Sequence, residues 1–274
     1  MEGQPLFCVK LQDMINQDKS WALVTGAGSG MGYCYARALA ARRYNVLLVS
    51  NQDFIVEKAE QVQKDYGVQT IGLLRDLSLP NAAEELYAYC QTNHILVEVL
   101  INNAGVYHDR DFLNDSAAFN HLILSLHITT PAMLCYYFGR NMMERHKGYI
   151  LNVCSVTSHI AVQRMATYAS TKAFLASFTR SLHIELRGKG VYVTNISPGA
   201  VDTGLYHIRP TATRLGKAMG YIVSPDYLVK RALNGLFHGR AKVSVPCVWN
   251  GVLLFFISLV PTFLLRGIRR LGWF

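Results

Sequence analysis

Short apolar runs alternate with longer amphipathic stretches along most of this chain. The apolar runs have the length and the aliphatic content of buried strands, and the stretches between them are long enough for helices. Strands are predicted at Ala22–Thr25, Val46–Ser50, Thr70–Leu74, Val97–Ile101, Tyr149–Val153, Tyr192–Ile196 and Lys242–Val245. This alternation predicts an α/β fold with a doubly wound, seven-stranded parallel sheet and helices on both faces.

The chain is predicted to form one domain over residues 1–274. No linker, low-complexity run or internal repeat divides it, and doubly wound folds commonly reach this length as one unit. Residues 1–20 are polar enough to predict an N-terminal arm and no signal peptide. The 6 cysteines have no metal-ligand spacing, which predicts reduced thiols, no metal site and a cytoplasmic protein.

The net charge of +9 does not predict a nucleic-acid partner, because the basic residues form no stripe. Basic residues do gather at the C-terminus, where an uncharged stretch is followed by Arg266, Arg269 and Arg270. Asn250 and Pro261 argue against a continuous membrane-spanning rod, so the basic apolar tail (residues 249–274) is predicted to lie peripherally on a membrane surface. A substrate-channel lid and a dimer contact are the competing interpretations of this segment.

A glycine-rich turn, Thr25-Gly-Ala-Gly-Ser-Gly-Met-Gly32, joins the first strand to a helix predicted from about Met31 to Arg43. Glycines let the backbone approach a pyrophosphate, and the amides at the start of the helix can bind its oxygens. The turn therefore predicts a Rossmann-like fold that binds a dinucleotide. A loop that only connects a strand to a helix is the alternative.

Tyr168 and Lys172 are four residues apart, so on a helix they share one face. An ammonium at that distance favours the phenolate and is expected to lower the pKa of the phenol from about 10, which makes Tyr168 a candidate proton donor. Ser155 follows an apolar strand and is a candidate to hold a substrate oxygen. Taken alone, the tyrosine and lysine would be interpreted as a surface pair. Cys154 is expected to pack rather than to react.

With these motifs the sequence resembles the short-chain dehydrogenase/reductase family along most of its length. The glycine turn, Asn102-Asn103-Ala104-Gly105, Asp76 and the segment Pro198–Thr203 stand where the family has corresponding motifs. The resemblance implies hydride transfer between a nicotinamide dinucleotide and a carbonyl, with Ser155, Tyr168 and Lys172 as catalytic residues. It also implies cofactor contacts at Thr25, Gly26, Gly28, Ser29, Gly30, Met31, Gly32, Ser50, Asn51, Asp76, Leu77, Asn103, Ala104, Gly105, Tyr168, Lys172, Pro198, Gly199, Val201 and Thr203.

His127 departs from the family pattern, since many members carry an asparagine at that place to support a water relay to the catalytic lysine. A neutral imidazole can make hydrogen bonds of the same kind. It can also be a packed helix residue with no catalytic part, and both interpretations stay open.

The cofactor and substrate are predicted from further details of the resemblance. Ser50 and Asn51 stand where NAD-preferring members place a carboxylate, so NADP(H) is favoured with NAD(H) as the alternative, although no arginine directly follows this strand. The tail resembles the C-terminal region of proteins in one branch of the family, which holds 17β-hydroxysteroid dehydrogenases and very-long-chain 3-oxoacyl-CoA reductases. That branch implies an apolar ketone or alcohol, and residues 204–219 fall where the family builds its substrate lid. A homodimer or homotetramer is expected.

Two other classes of function compete with that of an enzyme. One is a catalytically weakened family member that binds NAD(P) as a sensor or scaffold. The other is a membrane-surface interaction protein that depends on the tail.

Overall fold

A single parallel sheet forms the centre of the protein, here seen in a computed structural model that describes residues 20–107, 109–160, 162, 164–202 and 222–243. Its seven strands are β1 Trp21–Thr25, β2 Asn45–Ser50, β3 Thr70–Leu74, β4 Val97–Asn102, β5 Gly148–Val153, β6 Val191–Ile196 and β9 Lys242–Val243. They lie in the order β3-β2-β1-β4-β5-β6-β9, and every pairing between neighbours is parallel. The predicted sheet is confirmed, and the strand bounds agree to within one residue wherever the chain is described.

Seven α-helices in the described part of the chain cover the two faces of the sheet. They are α1 Gly30–Ala40, α2 Ile55–Tyr66, α3 Ala82–Thr92, α4 Ala117–Leu124, α5 Thr130–Glu144, α6 Ala166–Glu185 and α7 Pro225–Phe237. Strand residues alternate between two apolar clusters: Val46 and Leu48 pack on the side of α1, α2 and α7, whereas Leu47 and Val49 pack on the side of α3 and α5. Both faces are therefore buried, as continuous apolar strand runs require.

The direction of strand order reverses between β1 and β4. From β1 the chain adds β2 and β3 on one side, and then crosses to build β4, β5, β6 and β9 on the other. Loops that leave the carboxyl ends of β1 and β4 consequently diverge and open a crevice, which is where ligands bind in open α/β sheets.

A π-helical turn, Ser125–Thr129, joins α4 to α5 without a break. The resulting helical stretch 117–144 is long and apolar enough to cross a membrane, and among the described residues it alone passes that test. Almost half of its most apolar window is buried in the protein, as expected for a core helix, so the stretch is weak evidence for a membrane span.

Several sequence predictions fall outside the described residues. These are residues 1–19 of the N-terminal arm, Thr203, the substrate lid at 204–219 and the basic apolar tail. A second, two-stranded parallel sheet pairs β7 (Ala200–Val201) with β8 (Ile222–Val223) on either side of the undescribed lid segment.

Candidate active site

A cavity of about 470 Å³ opens at the carboxyl ends of β1, β2 and β4, at the point where the strand order reverses. This is the cofactor cavity. Its walls are Gly26, Ser29, Gly30, Met31, Gly32, Ser50, Asn51, Gln52, Arg75, Asp76, Leu77, Asn103, Ala104, Gly105, Val106 and Leu126.

The glycine turn forms one wall of the cofactor cavity by bringing backbone close to backbone. Gly26 has a φ of 65°, and a Cβ at Gly32 would lie 2.0 Å from the carbonyl oxygen of Gly26, so neither position accepts a side chain without movement. Helix α1 follows directly, and Ser29 at its N-cap makes no side-chain capping bond. The first-turn amides of α1 therefore remain available to an anion.

Hydrogen bonds made by Asn103 and Thr25 hold the loop after β4 against the end of β1. The Thr25 hydroxyl oxygen accepts from the amides of Asn103 and Ala104, each at 3.0 Å. The Asn103 amide group donates to the carbonyls of Thr25 at 3.0 Å and Gly26 at 3.2 Å. Its Oδ1 is buried and has no partner among the described residues, which leaves an unused acceptor at the cavity wall.

A smaller cavity of about 40 Å³ brings Ser155, Tyr168 and Lys172 together. This is the catalytic cavity. It shares part of its wall with the cofactor cavity, and the shared residues are Met31, Asn103, Gly105 and Val106. A group bound across both cavities would meet the three side chains directly.

Ser155 is held by its neighbour Thr157 at the start of a short 3₁₀ turn, Val156–His159. Both the backbone amide and the hydroxyl of Thr157 donate to Ser155 Oγ, at 3.2 and 2.9 Å. Because Ser155 Oγ accepts two hydrogen bonds, its own proton remains to be donated elsewhere.

Tyr168 and Lys172 lie on one face of α6 and are each about 6 % exposed. Lys172 Nζ lies 5.9 Å from the centre of the Tyr168 ring and donates to the Val153 carbonyl at 3.1 Å. Burial lowers the pKa of Lys172 below the usual value of a lysine. Burial also raises the pKa of the Cys154 thiol to about 12, which agrees with a packing role for that cysteine.

His127 lies in the π-helical turn with both ring nitrogens engaged. Nε2 accepts from the Val106 amide at 3.0 Å, and Nδ1 lies 3.1 Å from Thr171 Oγ1. Since Nε2 is an acceptor, the neutral ring carries its proton on Nδ1 and donates it to Thr171. Burial, together with the charge of Lys172, lowers the pKa of His127 well below its usual value. His127 thus ties the cofactor-cavity loop to α6 and leaves no ring nitrogen for a water.

A buried polar chain fixes α6 to the sheet. Asn102 on β4 donates to the side-chain oxygen of Asn152 on β5 at 2.8 Å, and Asn152 donates to the Thr179 hydroxyl on α6 at 2.9 Å. Buried side chains that hydrogen-bond to one another in this way favour a single packing arrangement of the core. The face of α6 that carries Tyr168 and Lys172 is positioned by these bonds.

The structure brings most of the predicted site residues to the two cavities. Pro198 and Val201 join the catalytic cavity. Neither cavity wall includes Thr25, Gly28 or Gly199. Thr25 supports the loop after β4 from outside the wall. Gly28 packs closely on Gln52, since a Cβ at Gly28 would lie 2.1 Å from Oε1 of Gln52. Residues at the cofactor cavity that sequence reasoning missed are Gln52, Arg75, Val106 and Leu126. The parallel pairing of β2 with β3 was a signal for Arg75, because it sets the residue after β3 beside the end of β2.

Comparison with known proteins agrees with the resemblance seen in the sequence. The profile of the short chain dehydrogenase family matches residues 20–212. Very-long-chain 3-oxoacyl-CoA reductase-B of Danio rerio is 32% identical over 211 residues, which are 72% of this chain and 67% of that protein. The very-long-chain 3-oxoacyl-CoA reductase of Homo sapiens is 30% identical over 221 residues, 78% of this chain and 67% of that protein.

Solved structures share the fold. A short-chain dehydrogenase from Sphingobium yanoikuyae in complex with NADPH has a TM-score of 0.74 at 24% identity, covering 88% of this chain and 96% of that one. A putative gluconate 5-dehydrogenase from Beutenbergia cavernae with bound NADP also has a TM-score of 0.74, at 25% identity, covering 82% and 94% of the two chains.

Proposed function

The chain belongs to the short-chain dehydrogenase family, and from that premise we propose that it is an NADP(H)-dependent oxidoreductase that interconverts an apolar ketone and its secondary alcohol. An enzyme of this family acts on C=O or CH–OH groups. The relatives named very-long-chain 3-oxoacyl-CoA reductase make 3-oxoacyl thioesters the first substrate class to test. Ketosteroids are the second class.

One observation carries the proposal. Ser155, Tyr168 and Lys172 line a cavity that shares a wall with the cavity at the glycine turn. A dinucleotide in the larger cavity and a carbonyl beside Tyr168 would consequently be neighbours, which is the arrangement that direct hydride transfer requires.

The residues of the cofactor cavity fit a dinucleotide. The glycine turn excludes side chains, the uncapped start of α1 suits a pyrophosphate, and Asn103 Oδ1 is a buried acceptor without a partner among the described residues. Ser50 and Asn51 at the end of β2 present no carboxylate to repel a 2′-phosphate. When bound, NADPH would supply the hydride.

The chain itself supplies orientation and the proton. Ser155 donates its hydroxyl proton to the substrate oxygen, because Thr157 occupies the acceptor positions of Ser155 Oγ. Tyr168 donates its phenolic proton to the same oxygen during reduction and takes it back during oxidation. The Lys172 ammonium on the same helix face stabilises the phenolate that remains. General-acid assistance of this kind contributes about 10²–10⁴ in rate.

The direct test uses the full chain with NADPH and a panel of 3-oxoacyl thioesters and ketosteroids. We expect NADPH oxidation with at least one member of the panel, and slower oxidation of NADH. Reactions without ketone correct for slow background oxidation. NADPH binding with no turnover on the whole panel would contradict the enzyme proposal and favour the sensor or scaffold alternative.

Localisation and assembly are part of the same proposal. We expect a single-domain cytoplasmic protein that forms a homodimer or homotetramer, and that reaches a membrane surface through the basic apolar tail. The membrane-surface interaction protein remains a rival only if the tail binds membranes while the panel gives no turnover.

A further inference from the structure

Arg75 stands beside the end of β2, although it follows β3 in the sequence. Strand β3 pairs with β2 so that Leu74 lies opposite Ser50, and the Arg75 amide donates to the Ser50 carbonyl at 2.8 Å. The end of the second strand is where dinucleotide-binding folds discriminate between a ribose hydroxyl and a 2′-phosphate. Arg75 therefore reaches the discriminating position from the neighbouring strand.

Arg75 is also the sole basic residue in the described wall of the cofactor cavity. The one acidic residue of that wall, Asp76, is engaged in its own turn, since its Oδ1 accepts from the amide and hydroxyl of Ser78 at 2.9 and 2.7 Å. These bonds orient the Asp76 carboxylate within its own turn, and Arg75 is the residue of the described wall whose charge attracts an anion.

Two arginines that directly precede β2, Arg42 and Arg43, make their contacts elsewhere. Arg42 donates to the Ala38 carbonyl at 3.1 Å, and Arg43 donates to the Tyr66 carbonyl at 3.3 Å. Neither belongs to the wall of the cofactor cavity.

The present partner of Arg75 can be exchanged. Its guanidinium lies 3.4 Å from Glu85, and the two side chains are 44% and 56% exposed. An ion pair this exposed contributes little, whereas a guanidinium matches a phosphate with two parallel hydrogen bonds. A phosphate ester in the cavity would compete well with Glu85.

We infer that Arg75 selects NADPH over NADH by pairing with the 2′-phosphate of the adenosine ribose. The inference rests on the proposed NADP(H) function and adds the specificity-determining residue to it. Ser50 and Gln52 complete a neutral polar environment, in which the backbone amide of Gln52 donates to Ser50 Oγ at 3.2 Å.

The test compares dissociation constants of NADPH and NADH by calorimetry on the full chain. Three variants are used: Arg75→Ala, Arg75→Lys and Arg187→Ala. Arg187 is exposed and lies outside both cavities, so Arg187→Ala removes the same charge without touching the site. Thermal unfolding of each variant accompanies the titrations.

We expect Arg75→Ala to weaken NADPH binding about tenfold or more, as for the loss of one charged hydrogen-bonding group, and to leave NADH binding within about twofold. Arg75→Lys should keep part of the preference because the charge remains, and Arg187→Ala should keep all of it. Unchanged NADH binding also shows that Arg75→Ala folds.

Two failures are distinguishable. If the wild-type protein prefers NADPH and Arg75→Ala keeps that preference, or loses both cofactors equally, the inference about Arg75 is wrong while the proposed function stands. If the wild-type protein binds NADH more tightly or binds neither cofactor, the NADP(H) proposal is wrong and the inference falls with it.

Discussion

At the scale of single residues, His127 and Ser155 differ in whether a hydrogen-bonding group remains available for the substrate. Both nitrogens of His127 are committed to Val106 and Thr171, so the side chain acts on the site through the elements it holds. Ser155 Oγ receives two hydrogen bonds from Thr157 and keeps a proton to donate. The contacts of His127 accordingly fit a positioning role, and Ser155 is a candidate catalytic residue.

The hydroxyl of Thr157 is expected to matter for turnover. Thr157→Val keeps the shape and the backbone bond to Ser155 but removes the 2.9 Å hydroxyl bond. We expect kcat to fall about tenfold, the effect of one hydrogen bond of about 1.4 kcal/mol, with NADPH affinity unchanged. Thr157→Ser restores the hydroxyl and should restore kcat. Wild-type kcat in Thr157→Val would show that Ser155 needs no such support.

His127 is expected to make the fold sensitive to acid. Its pKa in the folded protein lies well below the usual value, whereas an unfolded histidine titrates near pH 6.5. Below about pH 6.5 the unfolded chain therefore binds a proton that the folded chain does not. The contribution to the free energy of unfolding consequently falls with falling pH, by at most about 1.4 kcal/mol per pH unit.

His127→Asn removes this titration but keeps a hydrogen-bonding side chain. Urea unfolding of both proteins between about pH 7.5 and pH 5 measures the difference in their stability. The wild-type protein should lose stability relative to the variant as the pH falls below about 6.5. A difference that does not change with pH would mean that His127 titrates normally in the folded protein.

At the scale of elements, the sheet and the helix after the glycine turn follow from the sequence, whereas the shorter elements do not. Apolar runs such as Val46–Ser50 bury both faces of a strand and are readable without tertiary information. Helix α1 ends at Ala40 rather than near Arg43, and Arg43 has a φ of 69°. The two-residue strands β7 and β8 have no periodicity of their own, and they were not predicted.

The candidate site also contains residues that local sequence patterns predict and residues that they do not. The glycine turn and the spacing of Tyr168 and Lys172 are local patterns, and motif spacing finds them. The roles of Arg75 and Thr157 were not predicted, because they depend on strand register and on loop geometry. The π-helical turn that contains His127 was not predicted, and the hydrogen bond between His127 and Val106 joins two elements, which local spacing does not encode.

Two helical glycines provide a matched test of the glycine turn. A Cβ at Gly32 in α1 would lie 2.0 Å from the Gly26 carbonyl oxygen, whereas a Cβ at Gly139 in α5 would meet Cδ1 of Ile150 at 3.7 Å, an ordinary contact. We expect Gly32→Ala to destabilise the protein and abolish NADPH binding. Gly139→Ala should stabilise it by up to about 1 kcal/mol and leave binding unchanged. Thermal unfolding and NADPH titration measure both, and normal NADPH binding by Gly32→Ala would contradict the role given to this turn.

At the scale of the whole molecule, the crossover from β3 to β4 explains why the two cavities adjoin. It sets β4 beside β1, so that the loop after β4 borders the crevice at the end of β1 and Asn103 contributes to both walls. The position of the cavity thus follows from topology, and the chemistry follows from the residues that line it. The predicted arm, lid and tail lie outside the described residues, and their parts remain predictions.

The basic apolar tail is expected to bring the protein to a membrane surface. Each of Arg266, Arg269 and Arg270 should contribute about 1 kcal/mol at an anionic surface, and the uncharged stretch before them should insert in part. Deleting residues 249–274 should abolish co-sedimentation with anionic liposomes. A high-salt wash should release only part of the intact protein, because apolar insertion is not screened. If the full-length protein does not bind anionic liposomes, the tail does not act as a membrane-binding segment.

Tyr168 as the proton donor of a carbonyl reductase is the central claim, and Tyr168→Phe tests it most directly. The variant keeps the ring that packs against Tyr107 and His127 and removes only the hydroxyl. NADPH-dependent turnover of a ketone found with the panel, and the dissociation constant of NADPH, are measured for wild-type and variant protein in parallel. We predict that turnover falls by about 10² or more while NADPH binding stays within a few-fold. Near wild-type turnover by Tyr168→Phe would contradict the claim.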